Sequence, residues 1–134
     1  MTAIDALLAY ASWTLLLIAA VFLYRGLRFM QGTPINHWPR GAKPSDDAPL
    51  IKRIEDAHAN CLENLPIFAI IVLAAAALNK SELMVPFAAW VFYARVGQSV
   101  AHLLGVSKAL VFVRANFWVI QLGLMFYMLY LLCA

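Results

Sequence analysis

The stretch RIEDAHANCLENLPIFAIIVLAAAAL, residues 53–78, decides the fold. Its first half mixes charges and amides, whereas Leu65 to Leu78 contains no charge at all. A polar segment running unbroken into an apolar one of this length reads as a helix entering a membrane, where ionisable groups are costly and mark function or pairing. Asn60, Glu63 and Asn64 stand at that entrance.

Composition extends the reading to the whole chain. Of 134 residues, 64% are hydrophobic and 13% charged, and the mean hydropathy is +0.79, more apolar surface than one soluble core of this size can cover. Apolar runs occur at Ala6 to Tyr24, Leu62 to Leu78, Leu83 to Val106 and Ala109 to Cys133. Each is near or above the roughly 20 residues that cross the hydrocarbon of a bilayer. The expected fold is therefore all-α, a polytopic four-helix membrane bundle forming one domain over residues 1–134, with helices at about 6–29, 50–78, 83–106 and 109–133. MTAID has no basic leader and the first apolar run is long for a signal core, so that run is expected to stay as the first helix.

Charge sets the expected orientation. Arg25, Arg28, Arg40, Lys43, Lys52 and Arg53 lie between or at the ends of the first two helices, and Lys108 and Arg114 flank the third turn. Only Lys80 lies on the opposite side, which places both termini outside and loops 1–2 and 3–4 in the cytoplasm, the inner membrane being the site in a bacterium. The net charge of +3 is then a matter of topology, and no basic face remains for nucleic acid.

Local signals fill in the rest. Gly32, Pro34, Pro39, Gly41 and Pro44 make residues 31–48 a turn-rich loop around a lone Trp38. Asp46, Asp47 and Pro49 read as the start of the second helix, and Pro66 as a kink in it. Tyr10 and Trp13, with Tyr127 and Tyr130, fit an aromatic belt at the outer interface. Gly97, Ala101 and Gly105 recur every four residues as a seam for close helix approach, Asn79, Lys80 and Ser81 form a tight turn, and Ser107 can cap the fourth helix. Cys61 and Cys133, at opposite ends of their helices, are expected to be free.

At 1.5 Å rise per residue, counted from the outer end of each helix, Arg25, Asn60, His102 and Arg114 lie at about 28 Å, Glu63 at about 24 Å and Gln98 at about 22 Å. Four helices thus place polar groups in one layer, and Arg95, lower at about 18 Å, needs a partner or a wet cavity. Asp56, Asn60, Glu63 and Asn64 share one helix face, as do Arg95, Gln98 and His102, and Arg114 and Gln121. Two readings stand. In one the layer is structural, Glu63 pairing with Arg95 or Arg114 and the amides tying helices together. In the other, a carboxylate for an ammonium and guanidiniums for carboxylates or a thiolate receive a small zwitterion. His37, His58 and His102 have no metal-site spacing.

AHANCLENLP after the basic Arg53, ARVGQSVAHLLG on the third helix and Arg114 early on the fourth resemble the MAPEG family, the membrane-associated proteins of eicosanoid and glutathione metabolism. The likeness is to bacterial-type members similar to microsomal glutathione transferases. It implies a homotrimer with glutathione bound between neighbouring subunits. The implied ligand-binding set is Arg25 (with Arg28 as the near alternative), Arg53, His58, Asn60, Glu63, Arg95, Gln98 and His102, Glu63 holding the γ-glutamyl ammonium. Arg114 is the implied catalytic residue, activating the thiol toward a small lipophilic electrophile or hydroperoxide that arrives through membrane lipid. The chain departs from the family at Asp56 and Ala59, where several members have Arg, at Gln98 and His102, where His and Tyr are frequent, and at Ala115 and Trp118 instead of Ser and Tyr. The two functional expectations are thus a glutathione-dependent transferase or peroxidase and, alternatively, a membrane binding or scaffold protein that keeps the fold without the chemistry.

Overall fold

A computed structural model describes residues 1–40 and 43–134; Gly41 of the turn-rich loop lies outside the described residues. Four helices account for nearly all of it: α1 Ala3–Met30, α2 Pro49–Ala77, α3 Ser81–Leu104 and α4 Lys108–Cys133, with one 3-10 turn at Ile35–His37 between α1 and α2. α1, α2 and α4 are each long and apolar enough to cross a membrane. The 24 residues of α3 give about 36 Å, enough to span. Its apolar character is diluted by Arg95, Gln98, Ser99 and His102, all buried. α3 touches each of the other three helices, most extensively α4, so its polar side chains are covered by protein.

The ends of the helices follow local chemistry. Thr2 and Asp5 form a reciprocal capping box at the start of α1, the Asp5 amide donating to Thr2 Oγ1 at 3.1 Å and the Thr2 amide to Asp5 Oδ2 at 2.9 Å. Pro49 occupies the first turn of α2, where its missing N–H costs nothing. α2 stays helical through Pro66 and ends at Ala77, followed after Leu78 by Asn79, whose φ of 57° is the left-handed stop that asparagine tolerates. There the Lys80 amide donates to the Ala75 carbonyl and the Asn79 amide to that of Ala76. Ser107 Oγ accepts from the Leu110 amide at 3.3 Å and caps α4. Two cations close helix C-termini: Lys80 Nζ donates to the Leu132 carbonyl at 3.0 Å, and Arg53 Nε to that of Leu103 at 3.0 Å.

The core lies along α3. Tyr10, Phe68, Met84, Val91 and Met128 are fully buried, and the Gly97 seam receives α4 directly: a Cβ there would stand 2.8 Å from the Phe117 ring. Tyr10 and Trp13 correct the belt expectation. Tyr10 is wholly buried and donates to the Cys61 carbonyl at 3.1 Å, and Trp13 Nε1 donates to Ser99 Oγ at 3.0 Å, so both face α2 and α3. Tyr127 and Tyr130 are exposed. Cys61, buried, and Cys133, exposed, are free thiols.

The first loop is tied down at its second half. Arg28 donates to Asp46 at 2.7 Å and Asp47 at 3.2 Å, Trp38 Nε1 donates to Asp47 at 3.0 Å, and the Ala48 amide donates to the Tyr24 hydroxyl at 3.1 Å. Hydrogen bonds from Arg28 and then His37 hold the Asp46 carboxyl down at about 2. With a folded value below the ordinary one of about 3.9, the contribution of Asp46 to docking is complete above about pH 4 and fades as pH falls through about 2. The part of the tryptophan emission that Trp38→Phe removes is expected to report this acid step. Asp46→Asn should abolish it, and an unchanged step in that variant contradicts the assignment.

Candidate functional site

A cavity of about 650 Å³ opens between α2, α3 and α4, within the roughly 300–1,000 Å³ of small-molecule sites. Helical spacing builds its walls. α2 supplies Asp56, Ala59, Asn60 and Glu63 at i, i+3, i+4 and i+7, α3 supplies Gln98 and His102 one turn apart, and α4 supplies Val111, Arg114, Ala115 and Trp118. Five of the implied binding and catalytic residues therefore meet in one place, Asn60, Glu63, Gln98, His102 and Arg114.

The amides and the imidazole are held by one another. Asn60 Nδ2 lies 3.1 Å from His102 Nδ1, and Gln121 Nε2 donates to Gln98 Oε1 at 2.8 Å. Asp56 is ion-paired with Lys43, reached from the first loop, and its other oxygen lies 4.0 Å from His102 Nε2. Glu63 and Arg114 differ from these. Among the described residues neither has an ion-pair partner within 4.0 Å, so the pairing of Glu63 with Arg95 or Arg114 that a purely structural layer requires is not made. The cavity thus presents one anionic and one cationic group, each available to a ligand.

A second cavity of about 590 Å³ lies between α1, the loop and α2, with Arg25, Trp38, Arg40, Lys43, Glu55 and His58 on its walls. Ala59 lines both cavities. Arg25 pairs with Glu55 and lies over the Trp38 ring, 5.8 Å from its centroid. Arg28 is engaged by Asp46 and Asp47, whereas Arg25 lines this second cavity.

Two other residues are placed elsewhere. Arg53 caps α3. Arg95 is buried with its guanidinium 5.6 Å from the centroid of Tyr10; its partner is an aromatic face, and it lines neither cavity. His37, Asp46 and Asp47 bring three ligand-type atoms within 4.8 Å of one another, but Arg28 already donates to both carboxylates and a metal cation would meet its fixed charge. The loop residues Trp38 and Lys43 were not legible as site residues: a lone Trp in a polar, turn-rich segment was the one available signal, and no periodicity links Lys43 to Asp56.

The sequence model of the MAPEG family matches residues 5–134, essentially the whole chain. This chain belongs to the MAPEG family. It is accordingly an integral membrane protein of a family associated with eicosanoid and glutathione metabolism, and its three long apolar helices agree. Neither the curated proteins nor the solved structures contain a match to it. For this MAPEG protein the α2 face running from Asp56 to Glu63 and the Arg114 turn of α4 line one cavity, with Gln98 and His102 of α3 completing its wall.

Proposed function

We propose that the chain is a glutathione-dependent membrane transferase or peroxidase acting on a lipophilic electrophile or hydroperoxide, assembled as a homotrimer with ligand sites between neighbouring subunits. The observation that carries this reading is the presence, in one cavity, of a carboxylate and a guanidinium that have no ion partner among the described residues. Glutathione has the complementary groups: an ammonium for Glu63, and a thiol that Arg114 stabilises as thiolate. Bound glutathione supplies the nucleophile, so no protein thiol or hydroxyl is needed.

The chain's own residues divide the work. Glu63 orients the γ-glutamyl end, and Asn60, fixed by His102, presents an amide beside it. The Arg114 charge favours the deprotonated thiol, as a nearby cation does for any thiolate. Lys43 offsets the charge of Asp56 at the rim, the position where the family pattern favours a cation. Arg25 and His58, on the other side of Ala59, are positioned to meet a ligand carboxylate brought by an adjoining subunit. The termini lie outside and the cavity mouths on the cytoplasmic side.

A membrane binding or scaffold protein without chemistry is the second reading, and it draws on Asp56, which puts a negative charge on the cavity wall, and on Ala115 and Trp118, which put no hydroxyl next to Arg114 there. The transferase or peroxidase reading predicts glutathione binding, which a scaffold does not require. Glutathione at 100 times its Kd is expected to stabilise the detergent-purified protein by about 2.7 kcal/mol, seen as a rise in melting temperature. An analogue lacking the amino group should give a much smaller rise, and no rise with millimolar glutathione overturns the transferase or peroxidase reading and favours the non-catalytic one.

A further inference from the structure

The charges on the walls of the polar cavity do not match those of glutathione. Two carboxylates, Asp56 and Glu63, and one guanidinium, Arg114, stand there with the amides of Asn60 and Gln98 and the His102 ring. Among the described residues, Arg25, Arg40 and Lys43 line the second cavity and not this one. Lys43 pairs with one oxygen of Asp56, while the other is turned to His102 of the polar wall, 4.0 Å from its Nε2. The Asp56 side chain stays 43% exposed in spite of the pair, so a ligand in the polar cavity meets its carboxylate.

Spacing along α2 orders these groups. Asp56 and Glu63 are seven residues apart on one face, two turns and about 10 Å along the axis. Counted along the helices, Arg114 of α4 stands level with Asn60, between the two carboxylates. An extended tripeptide spans roughly 10 Å. A γ-glutamyl tripeptide thiol with its ammonium on Glu63 and its sulfur at Arg114 therefore brings its third residue to the level of Asp56. The free glycyl carboxylate of glutathione meets a like charge there and is repelled. An amide in the same place carries no charge, and an ammonium beyond it pairs with Asp56.

We propose that the cavity selects a γ-glutamyl-cysteinyl-glycine thiol whose terminal carboxylate is closed as an amide, most tightly when that amide carries an ammonium, and that Asp56 makes this choice. The inference rests on the glutathione reading above and narrows its ligand. Glu63 and Arg114 keep their roles, and only the far end of the ligand differs. Free glutathione binds in the same pose, more weakly. Because the amidated end lies a residue away from the cysteine, the thiol itself is chemically unchanged.

Calorimetry on the detergent-purified full chain at neutral pH compares three ligands: glutathione, its C-terminal amide, and the amide it forms with ethylenediamine. Wild type is expected to bind the simple amide about tenfold, and the ethylenediamine amide about 30-fold, more tightly than glutathione. Asp56→Asn should bring the three within about threefold of one another. Asp56→Arg should make glutathione the tightest of them, since a guanidinium pairs with the glycyl carboxylate. Lys43→Met, which removes the offset to Asp56 from outside the cavity, should widen the wild-type preference. A wild type that binds glutathione as tightly as its amide overturns the proposal, and so does a preference that persists in Asp56→Asn. A wild type that binds none of the three overturns the reading on which it rests.

Discussion

Arg114→Ala is expected to lower the rate of glutathione conjugation by roughly 100- to 1,000-fold, the effect of removing one preorganised charge from a developing or standing anion. The guanidinium is half-buried in the cavity wall and, among the described residues, bonds to no carboxylate. Its loss therefore deprives the fold of little, and the variant should melt close to wild type. The loss should fall on kcat more than on glutathione affinity, because the charge matters most for the thiolate. Arg114→Lys keeps a point charge but not the planar fork and is expected to recover part of the rate. A wild-type rate in Arg114→Ala removes Arg114 from the chemistry. Glutathione binding without turnover in the wild type itself selects the non-catalytic reading.

Glu63→Gln should weaken glutathione binding by roughly 30-fold, about 2 kcal/mol, the low end of what truncating one partner of a desolvated charge pair costs. The low end applies because Glu63 is exposed in the single chain and becomes enclosed only by ligand and neighbour. Calorimetry with the desamino analogue separates this pairing from a general loss of shape. Wild type should lose a comparable factor when the ammonium is removed from the ligand, and Glu63→Gln should lose little more, the signature of two groups that act on each other. Independent, additive losses would assign Glu63 a role other than ammonium recognition.

How far these assignments were legible in the sequence depended on whether a residue's role was local. Four apolar runs and a 3.6-residue repeat were sufficient to place Asn60 with Glu63 and Gln98 with His102, because neighbours one turn apart share a face whatever packs against them. Ser107 and Asn79 were readable for the same reason. Tyr10 and Trp13 were not, since α1 is apolar on nearly every side and its pattern does not distinguish lipid from α3. Nor did spacing on α3 reveal that Arg95 rests against Tyr10 of α1, or that Asn64, beside Glu63 in the chain, lines a different cavity. The first loop was opaque throughout: the contacts of Arg28 with Asp46 and Asp47, and of Lys43 with Asp56, join residues that no repeat connects.

Thiolate absorbance on titrating the purified wild type with glutathione at neutral pH tests the central claim most directly. A free thiol has a pKa of about 8.5 and is mostly protonated there. A thiolate band that grows to one equivalent per occupied site, and is lost in Arg114→Ala, is the predicted result; glutathione that saturates its site with no thiolate band contradicts it.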